Sequence, residues 1–135
     1  MKLKFALVAL GALVGLRCTA QLTVLVGPVK VSGQKAVVSL ALKNDLRSKV
    51  ESARAVVFLL DERGKIAGQA TQWVLGGSKT NGLMPGATNA FNFVVPISKP
   101  LLTTNLAAKV TFSRVVLEGN KLADISKDVR VTPSR

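Results

Sequence analysis

The chain has 135 residues, 48% of them hydrophobic, and carries 19 basic residues against seven acidic ones for a formal net charge of +12. It contains no histidine, no tyrosine and a single cysteine, so a Ser-His-Asp triad and a histidine-bearing zinc site cannot be built from it. The length suffices for one hydrophobic core and not for two.

The front end reads as a secretory leader. Lys2 and Lys4 form a short basic stretch, and residues 5–16 contain only apolar side chains and glycine. A membrane-crossing helix needs about 20 apolar residues, whereas a secretory apolar segment spans about 7 to 15. Cys18-Thr19-Ala20 places small residues at the −3 and −1 positions of a cut before Gln21. The competing structural reading is an N-terminal strand or buried helix. Cys18 itself is not set up for acylation, because lipoprotein signals place small residues directly before the cysteine and this chain has Leu16 and Arg17 there. The expected domains are a signal peptide over 1–20 and a single domain over 21–135. Removing Lys2, Lys4 and Arg17 takes the 19 basic residues to 16, against seven acids, a net of +9. The processed chain would have no cysteine, so an exported domain would be held by its core without a disulfide.

Period-two alternation dominates the remainder and predicts seven strands, at about 22–31, 36–43, 51–60, 65–75, 89–97, 107–118 and 121–131. Pro28 in the first has no ladder donor and predicts an edge position or a bulge. "AVVSLALK" puts Val38, Leu40 and Leu42 on one face, and "ESARAVVFLL" ends apolar on both faces, as a central, doubly covered strand would. Asp61-Glu62-Arg63-Gly64 is a turn in which aspartate bonds local amides. Residues 76–86 form a longer loop; its Gly76-Gly77-Ser78-Lys79-Thr80 lacks the G-K-[ST] order and the following helix of a phosphate loop. "NAFNFVVPI" sets Phe91, Phe93, Val95 and Ile97 on one side, and Gly119-Asn120 predicts a two-residue hairpin turn. Asp124 and Asp128, on one face of the last strand, would stand roughly 13 Å apart, too far for a glycosidase carboxylate pair at about 5 to 9.5 Å. Seven short strands with regular turns predict an immunoglobulin-like antiparallel β-sandwich.

Residues 36–96 resemble the FxLYD family of immunoglobulin-like domains of exported bacterial proteins. Val57-Phe58-Leu59-Leu60-Asp61 with Gly64 corresponds to its F-x-L-Y-D and D-x-x-G turn, with Val57 and Leu60 in place of the two aromatics. Leu83-Met84-Pro85-Gly86 followed by Phe91 and Phe93 is similar to its L-x-PG…F element, and Leu42-Lys43-Asn44 to its V-x-N. The resemblance implies a sandwich fold and a binding role outside the cytoplasm; its motifs are turns, not catalytic groups.

No catalytic, metal or cofactor site is expected, and the seven carboxylates are dispersed. The expectation is therefore a non-catalytic binding or scaffolding module of the bacterial envelope, periplasmic or secreted, with a protein or other envelope partner. The alternative is an electrostatic binder of anionic envelope polymer or lipid. Nucleic acid is disfavoured, because the cations are scattered and the aromatics (Phe58, Trp73, Phe91, Phe93 and Phe112 beyond the leader) sit in apolar segments that read as core. The candidate partner contacts are Trp73, Ser78 and Lys79. Trp73 shares a strand face with Gln69 and Thr71, which favours exposure, while tryptophan's usual burial favours a core position.

Overall fold

The computed structural model describes residues 20–77, 81–98 and 105–133. The described residues form eight strands and one short helix, in the order β1 (Leu22–Ser32), β2 (Lys35–Asn44), β3 (Val50–Leu60), β4 (Ile66–Leu75), β5 (Thr88–Pro96), β6 (Ala107–Leu117), β7 (Lys121–Leu122), α1 (Ile125–Asp128) and β8 (Val129–Pro133). The strands make two four-stranded sheets, β5-β2-β1-β8 and β4-β3-β6-β7, packed face to face as an all-β sandwich. The expected leader, including Cys18, lies outside the described residues, as do Ser78 and Lys79. Among the described residues no helix is long and apolar enough to cross a membrane.

Alternation works as the pattern demands, because successive strand side chains point to opposite faces. Leu22 and Val24 of β1, Val38, Leu40 and Leu42 of β2, and Phe93 and Val95 of β5 fill the inner face of the first sheet. Ala53, Ala55, Val57 and Leu59 of β3, with Val74, Leu75, Val110, Phe112 and Val115, meet them from the second. One side of the sandwich is closed where β4 approaches β5. There the Ser98 amide and hydroxyl both donate to the Ala67 carbonyl, at 2.8 and 3.0 Å, and Gln72 Nε2 donates to the Val94 carbonyl at 3.0 Å.

Four expectations about the strands and their faces are corrected. The last predicted strand is not one strand: the chain makes two residues of β7, turns through α1, and enters the other sheet as β8. Asp124 causes the break. Its carboxylate accepts from the Ser126 amide at 3.1 Å and hydroxyl at 2.8 Å, while Asp128 Oδ2 accepts from the Asp124 amide at 2.9 Å. Such side-chain bonds compete with the strand ladder, so the two aspartates meet across one helical turn instead of standing apart along a strand. Second, the sandwich is not wholly antiparallel, since β8 pairs parallel with β1 from Leu22–Val129 to Val26–Pro133. Third, β3 is central but covered on one face only; Arg54, Val56, Phe58 and Leu60 on its other face are half-buried among neighbouring side chains. Fourth, the aromatics are not all core: Phe58 and Trp73 lie on the outer face of the second sheet.

The turns obey their residues. The β1–β2 register shifts between Val26 and Val29, so Pro28 sits in a bulge, and the β8 pairing on the other side of β1 stops at Val26. Asp61 Oδ1 accepts from the Arg63 and Lys65 amides, both at 2.9 Å. The Ala87 amide donates to the Met84 carbonyl at 3.0 Å across Pro85 and Gly86, whose φ is +81°. That is a type II turn, in which the second central residue needs positive φ. At the β6–β7 hairpin Gly119 and Asn120 have φ of 84° and 60°, but Leu117 pairs with Lys121, so three residues span the turn instead of two.

Candidate functional site

The outer face of the second sheet carries its chemistry at one end. Arg54 of central β3 is the cross-strand partner of Trp73 on β4 and of Arg114 on β6. Its guanidinium lies over the indole of Trp73, 5.4 Å from the ring centroid, and its Nε donates to Ser113 Oγ at 2.9 Å. A cation over an indole face is held by the ring quadrupole. With Glu51, Ser52, Val116 and Asn120, these residues line an open depression of about 660 Å³, within the 300–1,000 Å³ range of ligand pockets.

Three register irregularities converge here. The β3–β4 pairing slips between Ala53 and Arg54, leaving Val74 unpaired; the β3–β6 pairing slips between Arg54 and Ala55, leaving Ser113 unpaired, and again at Glu51. Each extra residue re-aims the side chains beyond it. Val74 and Leu75 are both buried while Trp73 points out at 39% exposure. Ser113 and Arg114 are both exposed, whereas strict alternation from Phe112 would have turned Arg114 into the core. Bulges of this kind are over-represented beside functional sites because they redirect a side chain.

The chain leaves β4 at Gly76 closely packed against this end. A Cβ on Gly76, at φ +75°, would lie 2.6 Å from the Glu51 carbonyl and 2.7 Å from Ser52 Cβ, so only glycine permits that approach.

Of the sequence-derived contacts, Trp73 is exposed on the sheet surface, which overturns its reading as a core aromatic. Arg54 and Arg114 were not singled out by sequence, since the bulges that gather them leave no periodic signal. The cations do not form one patch: Lys30, Lys35, Lys43 and Arg130 lie on the outer face of the first sheet, Arg54, Lys109 and Arg114 on that of the second. Among the described residues the one ion pair is Lys43 with Asp45 at 3.7 Å, and no three of histidine, cysteine, aspartate and glutamate gather as a metal-binding group.

No known protein family matches the chain, and no curated protein matches it. Among solved structures, a β-glucuronidase from glycoside hydrolase family 2 is similar in part, at 17% identity and a TM-score of 0.41, over 74% of this chain and 10% of that one. The chain therefore spans about a tenth of the length of that enzyme, and a likeness this distant carries no functional argument.

Proposed function

We propose that the chain is an exported, non-catalytic binding module of the bacterial envelope, an immunoglobulin-like domain of FxLYD type. Its recognition surface is the outer face of the second sheet. The observation that carries this reading is the exposed Trp73 set between bulges beside Arg54 and Arg114. Tryptophan and arginine are among the side chains most enriched at binding hot spots. The export half of the proposal rests on the basic and apolar leader pattern, and the fold is compatible with it. Strand β1 begins at Leu22, and the Gln21 carbonyl, which accepts from the Asp45 amide at 3.0 Å, would survive a cut before Gln21.

The electrostatic alternative needs a continuous basic face, and the cations are divided between the two sheets. The test is capture of envelope proteins by the purified wild type and by Trp73→Ala at 0.15 and 0.5 M salt. A species retained at high salt and lost with Trp73→Ala supports the module. Capture that ignores Trp73→Ala and vanishes at high salt supports the electrostatic binder and overturns the reading.

A further inference from the structure

The partner's chemistry can be read from the same surface, on the footing of the binding-module reading above. Arg54 and Arg114 stand directly opposite each other on neighbouring strands, an arrangement of like charges that destabilises a sheet. No ion pair within the described chain offsets it. Glu51 lines the same depression, yet neither arginine forms an ion pair with it or with any other described carboxylate. The guanidinium of Arg54 is nonetheless held in place, by Ser113 Oγ at 2.9 Å and by the Trp73 ring. A bulge is spent on pointing Arg114 outward beside it. An Arg54 fork held in place with Arg114 beside it, neither paired to a described carboxylate, is an arrangement that receives carboxylates from outside, since arginine pairs with them bidentately.

The second observation is the surface that continues from this end. Along β3 the outward side chains after Arg54 are Val56, Phe58 and Leu60, all half-buried, and Leu60 pairs with Ile66, which is 48% exposed. Four residues of strand make this ridge roughly 13 Å long, and with Arg54 the surface runs roughly 20 Å. It is flanked by Thr71 and Gln69 on β4 and by Thr111 and Lys109 on β6, all exposed. A charged pocket leading onto an apolar ridge, about 20 Å in all, is the size of a protein segment. It offers a chain of saccharides one exposed aromatic ring among the described residues, Trp73, and a lipid surface no broad basic plane.

We propose that the outer face of the β4-β3-β6 sheet binds an acidic protein segment. Arg54 and Arg114 take its carboxylates, and Trp73 with Val56, Phe58 and Leu60 takes its apolar side chains. The segment lies on the sheet face and does not add to the outer edge of β4, which is already engaged by β5 through Gln72 and Ser98.

Trp73 is the single tryptophan of the chain, so its emission reports occupancy directly. The experiment titrates the purified protein at 0.15 M salt with poly-L-glutamate, a polyuronate of similar length and charge, and phosphatidylglycerol vesicles. Poly-L-glutamate is expected to give a saturable change in emission, with weaker binding of the other two. Arg54→Lys and Arg114→Lys preserve charge and lose the fork; each is expected to weaken poly-L-glutamate by about tenfold, the worth of a charge-assisted hydrogen bond. Lys30→Ala and Lys43→Ala on the other sheet are expected to leave it unchanged. Urea midpoints of all variants confirm that each remains folded. Equal weakening by the lysine and arginine substitutions, tighter binding of polyuronate or vesicles, or no poly-L-glutamate binding would overturn the proposal. If it fails while envelope capture still depends on Trp73, the acidic partner is wrong and the module stands; if capture also ignores Trp73, the module reading falls with it.

Discussion

Replacing Asn44 tests how the loops at one end of the sandwich are held. Among the described residues Asn44 is the one buried polar side chain, with no exposed surface. Its Nδ2 donates to the carbonyls of Ser48 and Leu83, both at 2.9 Å, and its Oδ1 accepts from the Leu46 amide at 2.9 Å. The backbone of Asn44 meanwhile donates to the Ala87 carbonyl at 3.0 Å and accepts from the Gly86 amide at 2.6 Å. One residue thus ties the end of β2 to the β2–β3 connection and to the segment that carries the Pro85-Gly86 turn. Asn44→Ala deletes three hydrogen bonds and takes this partner from the part-buried Ser48 carbonyl and Leu46 amide, while the Leu83 carbonyl keeps the Val50 amide at 2.9 Å. At about 1 kcal/mol per net bond, and somewhat more where a part-buried group loses its partner, the expected loss is about 3–4 kcal/mol. With a urea slope of about 1.5 kcal/mol per molar, the unfolding midpoint should fall by about 2–3 M.

Asn44→Asp sharpens the test because the shape hardly changes. The new carboxylate can still accept from Leu46 but sets an oxygen against two carbonyls at a position with no exposed surface. Folding therefore raises the introduced carboxyl's pKa above the unfolded value of about 3.9. A raised folded-state pKa gives stability that is present below the unfolded pKa and lost as pH rises through the folded one. Relative to wild type, this variant should be least destabilised below about pH 4 and most destabilised at neutral pH. An Asn44→Ala loss under about 1 kcal/mol, or a flat pH dependence for Asn44→Asp, would refute the bracing role.

Gly86→Val should cost about 1–3 kcal/mol in urea unfolding from backbone strain alone, since a Cβ there meets nothing within 4 Å; an unchanged midpoint would show that the turn relaxes freely. Expressed in a bacterium with its own leader, the protein should be recovered outside the cytoplasm with an intact mass starting at Gln21; a chain starting at an acylated Cys18 would reverse the leader reading. Trp73→Ala should weaken the captured envelope partner by about 2 kcal/mol, the usual hot-spot threshold, in a surface-binding assay. That loss should persist at 0.5 M salt, where surface charge pairs are screened within a few ångströms.

The strands from β1 to β6 were legible because their side chains alternate between core and solvent, and alternation is what a one-faced sheet imposes. Pro28, Asp61 and Gly86 were legible for a different reason: proline lacks a ladder donor, glycine alone accepts the turn's positive φ freely, and Asp61 stands in a D-E-R-G run whose composition marks a turn. The end of the chain was misread because "KLADISKDVRV" alternates acceptably as a strand. The Asp124 cap that breaks it acts through its own carboxylate, which periodicity does not register. The site was half legible. Trp73 stood out as a lone tryptophan with polar residues on its face, but its exposure depends on Val74 being an unpaired extra residue. Arg54 and Arg114 come together only through cross-strand register, so 60 residues of sequence separate two side chains of one pocket.

The central claim is that recognition belongs to the outer face of the second sheet, and crosslinking in living cells tests it most directly. A photo-reactive amino acid is placed at Thr71, exposed beside Trp73 on β4, and separately at Ala41, exposed on the outer face of the first sheet. Illumination should yield a discrete envelope adduct from the Thr71 position that disappears when Trp73→Ala is added, and none from Ala41. An adduct from Ala41 alone, or one from Thr71 that persists in Trp73→Ala, would contradict the account.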